Sequence, residues 1–352
     1  MVDFGVFDWV DFSDEEPPTQ LFEDRLALAV RAEELGFSTY HVAEHHFTPL
    51  GGAPSPSVWL AAVARETSRI RIGPLVYLLP LYNPLRLISE IAMIDHLSHG
   101  RMELGVGRGV SPWELGHYGV KSDESRELFE ETLEVVVKGL SNGVLNHQGR
   151  RLPSYNGVPM ELHSLQQPYP PLWHATSSPE GVAWAARHGL NLMGLGPASF
   201  FGQAVEQYRA ISAEHSDDPG RYNTHVAEAK IGMMRQVIVA ETDAEAEKLL
   251  HGTFARWQHS FVKLWVANND EPVAVGIPTI EAFRGVGALI VGSPETVRVG
   301  MAKTIEEGHL NYVACSFAWG SIAREDSARS MQLFAEEVIP ALSLPSRQLP
   351  SR

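Results

Sequence analysis

Tyr40-His41-Val42-Ala43-Glu44-His45-His46-Phe47 puts three histidines and a carboxylate within six positions. The stretch lies between a β-rich run, Phe37 to Val42, and a Pro/Gly-rich segment, Pro49 to Pro56. Its conformation decides the fold. On a helix, His41-x-x-Glu44-His45 would put two histidines on one face, as in a zinc-peptidase pattern. On a strand, His41 and His45 stand roughly 13 Å apart and cannot share an ion. The preceding Phe37-Ser38-Thr39-Tyr40 and the following Pro49 favour strand then loop, so no metal is expected. Histidine titrates near neutrality, which leaves proton transfer as the chemistry this cluster suits.

Working outward, the same strand-then-loop pattern recurs. Strands are expected at Asp3 to Trp9, Ser38 to Ala43, Ile70 to Leu78, Arg101 to Gly107, Leu172 to Thr176, Leu190 to Gly194, Glu228 to Ala240 and Leu310 to Phe317. Helical patterns separate most of them. One opens at Pro17-Pro18-Thr19 with Thr19 as N-cap and ends at Gly36; others span Ser55 to Thr67, Asn83 to His99 and Asp123 to Leu140. Further helices run from Pro179 to His188, Gln203 to Glu214, Thr242 to about Phe254, from Pro294, and Arg324 to Leu342. Alternating β and α units imply parallel strands with helical crossovers. Eight such units predict a closed α/β fold, a (β/α)8 TIM barrel, as one domain over 1–352 with surface excursions at about 141–171 and 266–292. A doubly wound open sheet is the second choice. A long aperiodic stretch such as 266–292 is usually functional, for instance a lid.

The chain has 352 residues, 44% of them hydrophobic, which is ample for a large core. Its formal net charge of −15 argues against nucleic acid or an anionic membrane surface as partner. A single cysteine, Cys315, allows no intrachain disulfide and fits a reducing compartment. The first residues carry Asp3 and Asp8 within the apolar run and read as a strand and not as a signal peptide. A cytoplasmic protein without a membrane span is expected.

In a barrel, function sits where strands end and the following loops begin. Strand two ends at Glu44-His45-His46, strand three near Leu75-Val76, strand four at Gly107-Arg108-Gly109 and strand five at Ser177-Ser178. Thr176-Ser177-Ser178-Pro179 joins a strand end to a helix start, where free N–H groups and the helix dipole favour an anion. Arg108 on the neighbouring strand end could bind that anion bidentately. An ordinary N-cap beside a surface arginine is the plainer alternative. Gly105-x-Gly107-x-Gly109 lacks the spacing of a dinucleotide fingerprint, and no P-loop is present.

Several motifs together resemble the luciferase-like flavin monooxygenases, which include bacterial luciferase and alkane-type monooxygenases. They are Glu44-His45-His46-Phe47, Leu79-Pro80 to Asn83-Pro84-x-Arg86, Asp95-x-Leu-Ser-x-Gly100-Arg101 and Gly107-Arg108-Gly109. Trp184-Ala185-Ala186 with Gly189, Gly292-Ser-Pro-Glu295 and Met331-x-Leu-Phe to Pro340 complete the set. The resemblance implies FMN in the barrel mouth. Arg108, Gly109 and Val110 with Ser177 and Ser178 would hold its phosphate end, and Leu75-Val76 would lie under the ring, where the family often has a non-proline cis peptide. His45 would be the catalytic acid/base, Glu44 would orient it or touch flavin, and His46 would be structural. The implied reaction uses reduced FMN and O2, through a C4a-peroxyflavin, to oxygenate a small organic substrate. A separate NAD(P)H:flavin reductase would supply the reduced FMN, and the protein would be a homodimer. Alternatives are a deazaflavin-dependent hydride-transfer enzyme of the same barrel family and a non-catalytic flavin-binding partner subunit. Three departures stand out: Leu75 and Val76 replace the family's small residues at the cis-peptide position, which argues against a cis bond here, luciferase's reactive cysteine is Gly107, and an acidic residue of its phosphate turn is Ser177.

Overall fold

The computed structural model describes residues 2–12, 16–270 and 278–342. Apolar and β-branched runs form the strands β1 (Asp3–Asp8), β2 (Thr39–Val42), β3 (Arg71–Pro74), β4 (Tyr77–Leu78), β5 (Leu104–Gly107), β6 (Val144–His147), β7 (Tyr155–Pro159), β8 (Leu172–Ala175), β9 (Asn191–Gly194), β10 (Ile231–Val239), β11 (Leu289–Gly292) and β12 (Tyr312–Ser316). Apart from β6 and β7 they make one parallel sheet in the order β3-β2-β1-β12-β10-β9-β8-β5-β4, with β11 on β10. β3 and β4 are two halves of the third expected strand, parted at the Leu75–Val76 peptide, which is cis although neither residue is small. Ile72 of β3 bridges Met102 and β4 pairs with β5, so the ring closes on itself. Helices including Pro18–Glu34, Pro56–Glu66, Pro84–Leu97, Ser125–Ser141, Pro179–His188 and Pro294–Gly308 alternate with the strands. This is a TIM barrel. Among the described residues no helix is long and apolar enough to cross a membrane.

Strand side chains alternate between two cores. Phe4, Val6, Val42, Val106 and Val313 pack outward against the helices. Phe7, Ala43, Leu75, Trp173, Met193, Ile238, Tyr312 and Ala314 point into the ring. The rings of His41, Trp173 and Tyr312 plug the interior, with centroids 5.0–5.9 Å apart. Trp173 Nε1 donates to Glu103 Oε2 at 2.7 Å. The plug needs Gly5: a Cβ there would collide with the Tyr312 hydroxyl. Above it, Arg25 of helix Pro18–Glu34 is buried between Asp8 and Asp11 at 2.9 and 3.0 Å and donates to Ala318 O. That network fixes the loops carrying Trp9 and Trp319. Burial pushes the Asp11 carboxyl up to about 6, against the pull of Arg25.

Three expectations need correction. The excursion 141–171 contains the antiparallel hairpin β6–β7, whose alternation is too short and too polar to read as strands. Glu131 of helix Ser125–Ser141 clamps it, bonding His147 Nε2 at 2.9 Å and accepting from the backbone N–H of Arg150, Arg151 and Leu152. The stretch 266–292 contains helix Ile280–Gly285 and strand β11, which pairs with the second half of the nine-residue β10, Gln236↔Leu289 to Val239↔Gly292; residues 271–277 of that stretch lie outside the described residues. The helix capped by Thr242, with a full capping box, runs to Ala267 because Leu250, Phe254, Trp257 and Phe261 continue the apolar stripe. A smaller shift concerns the first helix, whose N-cap is Pro17 and not Thr19.

Gly5→Ala should lower the denaturant midpoint by the equivalent of about 1–3 kcal/mol with an unchanged m-value, since the added methyl overpacks the plug. Burial works to raise the Glu131 carboxyl, but the backbone and His147 hydrogen bonds outweigh it and hold it at about 2, below its ordinary 4.5. Its folded value is depressed, so its stabilisation is present above pH 4.5 and drains away as pH falls toward 2. Glu131→Gln should therefore cost roughly 2 kcal/mol near neutrality, speed hydrogen exchange in 144–159, and flatten the pH dependence of stability in that acid window.

Candidate active site

At the C-terminal end of β2 the chain turns through Ala43, Glu44 and His45. His41, Ala43 and His45 alternate inward with the strand's period, which makes the three histidines unequal. His41 is fully buried in the plug, and burial, helped by Lys230, pushes its ring down to about 3, so it stays neutral. Among the described residues no group of three or more His, Cys, Asp or Glu is placed to hold a metal ion.

His45 stands at the mouth. Its ring stacks on Trp9 at 5.7 Å, and Nδ1 lies 3.2 Å from Glu114 Oε1. Glu114 belongs to the short helix Pro112–His117 and has Ser111 as N-cap. The same Oε1 accepts the His46 backbone N–H at 2.7 Å. Burial would raise the Glu114 carboxyl, but the His45 charge and the hydrogen bonds from both histidines bring it below the usual carboxylate range. The role expected of Glu44, orienting His45, therefore falls to Glu114. Glu44 turns the other way: Oε1 pairs with His46 Nε2 at 2.8 Å and Oε2 accepts the Leu78 N–H at 3.0 Å. It pins the end of β2 to β4, and burial raises its pKa. His46 completes the chain with Nδ1 on the Tyr118 hydroxyl at 3.0 Å, the supporting position expected for it. Glu114 was missed although Ser111-Pro-Trp-Glu114 has the S-x-x-E spacing of a helix start.

Leu75 is buried beside this site and Val76 is half-buried. Val76 leans over the end of β5, and a Cβ at Gly107 would collide with Val76 Cγ2. No thiol can stand at that position without displacing it.

β5 and β8 are neighbours, with Val106 paired to His174, so the chain ends at Arg108 and at Thr176–Ser178 leave side by side. Gly109 takes φ +85°, a turn open to glycine, and Val110 beyond it is 74% exposed. Arg108 is exposed and makes no hydrogen bond or ion pair among the described residues. Ser178 caps helix Pro179–His188 by accepting the Gly181 N–H at 3.1 Å. The Ser177 hydroxyl exchanges two hydrogen bonds with the Leu195 backbone, at 2.9 and 3.0 Å, and braces the next loop. An unpaired guanidinium beside a capped helix N-terminus suits a phosphate. The residues present fit a flavin-type cofactor that carries a phosphate.

A family model described as "Luciferase-like monooxygenase" matches residues 2–310. A Sinorhizobium fredii (strain NBRC 101917 / NGR234) relative, "Uncharacterized protein y4wF", is 36% identical over 337 residues, 96% of each chain. The monooxygenase RslO1 of Streptomyces bottropensis is 27% identical, with TM-score 0.84 over 97% of this chain and 100% of that one. The oxygenating constituent of 3,6-diketocamphane monooxygenase from Pseudomonas putida, solved in complex with FMN, shares the fold at 20% identity and TM-score 0.78, covering 99% and 100%. The coenzyme F420-dependent tetrahydromethanopterin reductase of Methanopyrus kandleri also shares it, at 19% identity and TM-score 0.69, covering 97% and 99%. The chain belongs to the luciferase-like monooxygenase family and is an enzyme of that family.

Proposed function

We propose that the protein is the oxygenase component of a two-component flavin monooxygenase. It would use reduced FMN and O2 to oxygenate a small organic substrate. The observation that carries the reading is Arg108, an unpaired cation beside the Ser178 helix cap, on the same barrel mouth as the His45–Glu114 pair. When bound, reduced FMN supplies the electrons that activate O2. The chain's own groups do the rest. Arg108 and the start of helix Pro179–His188 hold the phosphate. Leu75, Val76 and Trp9 wall off water from the ring. Glu114 fixes the His45 tautomer through Nδ1 and stabilises the imidazolium, so that Nε2 can give or take a proton at the reacting atoms. The fold neighbour described as an oxygenating constituent supports supply of reduced FMN by a separate reductase, and the sequence has neither a P-loop nor a dinucleotide fingerprint. A homodimer in the cytoplasm is part of the same proposal.

Titration with FMN and with riboflavin tests the phosphate end. Arg108→Ala should weaken FMN binding about tenfold or more and leave riboflavin unchanged, because only FMN loses charge-assisted hydrogen bonds; equal effects on both flavins would remove Arg108 from the phosphate site. A substrate screen with a borrowed flavin reductase tests the chemistry. His45→Ala and Glu114→Gln should each cut oxygen-dependent product by about a hundredfold, with FMN affinity held within about twofold. Unchanged turnover in His45→Ala would remove His45 from catalysis, and flavin binding without product from any substrate in wild-type protein would favour the non-catalytic subunit. Tight binding of reduced deazaflavin without O2 consumption would replace the monooxygenase reading with hydride transfer, and efficient NADPH oxidation by the protein with FMN alone would overturn the two-component arrangement.

A further inference from the structure

His45 meets Glu114 through one atom, Nδ1. A single hydrogen bond sets the reach of that atom and leaves the ring free to swing about the contact, carrying Nε2 with it; a rotamer is locked only when packing supports the hydrogen bond. The indole of Trp9 supplies that packing. It lies along the imidazole at a centroid distance of 5.7 Å and an interplanar angle of 28°. Trp9 is itself held edge-on by Phe7 at 4.9 Å and tilted against Trp257 at 6.3 Å, and it is 7% exposed. Its Nε1 has no hydrogen-bond partner among the described residues, so packing alone sets the plane of the indole.

The backbone beside Trp9 is strained. Val10 follows it with φ +49°, in the left-handed region, although it is β-branched and fully buried. Such a residue keeps that conformation only where its surroundings enforce it, and such places gather at functional sites. Here the Val10 N–H donates to Asp8 Oδ1 at 2.8 Å. The same oxygen accepts from Arg25 at 2.9 Å, and Oδ2 accepts from the Tyr40 hydroxyl at 2.8 Å. Gly52 lies so close to the Val10 carbonyl that a Cβ would collide with it. The buried Asp8–Arg25 pair and Gly52 thus enforce a turn that sets the direction of Trp9. We infer that Trp9 is a positioning residue for His45: its face fixes the plane of the imidazole that Glu114 holds by one edge, and so fixes where Nε2 points. The face of an indole also attracts the positive charge that the imidazole carries once it takes up a proton. The effect on turnover rests on the oxygenase reading above; the stack itself does not.

Two readouts test this. Flavin-free wild-type protein, Trp9→Leu and Trp9→Phe are labelled with 13C in the histidine rings, and the His45 signal is identified by its loss in His45→Ala. In the wild type the His45 ring should be as ordered as rigid backbone, with an order parameter of about 0.85; Trp9→Leu should bring it below about 0.6, and Trp9→Phe should keep it high. Trp9→Met serves if the leucine variant does not fold. In the oxygenase assay Trp9→Leu should lower kcat about tenfold with FMN affinity held within about twofold, and Trp9→Phe should recover most of the rate. On a His45→Ala background Trp9→Leu should cost nothing further, since no ring is left to position. An unchanged His45 order parameter in Trp9→Leu or Trp9→Met overturns the inference. So does a loss of kcat that multiplies in full on the His45→Ala background, which makes Trp9 a wall of the pocket and no more. If wild-type protein binds no flavin, the oxygenase reading fails while the order of the His45 ring still decides the stack.

Discussion

One carboxylate oxygen organises the mouth of this barrel. Glu114 Oε1 meets both the His45 ring and the His46 backbone N–H, so a single buried acceptor joins the loop after β2 to the loop after β5. Both loops are connections that would otherwise be free to move, and the catalytic candidate sits on one of them. Glu44 makes the matching tie on the other side, from the end of β2 to β4 and through His46 to Tyr118. The two acids divide the work. Glu114 stays ionised and faces the reacting side, whereas Glu44 is buried deeper, has its pKa raised, and serves as a structural pin. Neighbouring carboxylates in different surroundings can take different roles in this way.

The ring beneath supplies the rigidity those ties require. His41, Trp173 and Tyr312 fill its interior, and the Asp8–Arg25–Asp11 network holds the two loops that bear Trp9 and Trp319. Functional groups are thus presented by strand ends set on a packed plug, the arrangement in which small displacements are resisted best.

Much of this was legible in the sequence, for identifiable reasons. The ring strands announce themselves because runs such as Gly5-Val6-Phe7 and Tyr312-Val313-Ala314-Cys315 are apolar and bounded by turn residues. Strand geometry alone separated His41 from His45. What stayed hidden depends on contacts far apart in the chain. Leu289-Ile290-Val291 between Gly287 and Gly292 carries the same signal, but the aperiodic stretch before it masked a strand that pairs with the long β10. The choice of Glu114 over Glu44 as partner of His45 spans 69 positions along the chain. Ser177 looked available in its own loop and is committed to Leu195, eighteen residues on.

The collision between Val76 and a side chain at Gly107 makes these two strand ends share one fixed volume. Atoms can be moved from one to the other but not added to both. In relatives that carry a cysteine at the place of Gly107, the place of Val76 should hold a smaller residue, and the two positions should vary together. The floor of the mouth is then a site where the family can exchange bulk for a reactive group without altering the frame around it.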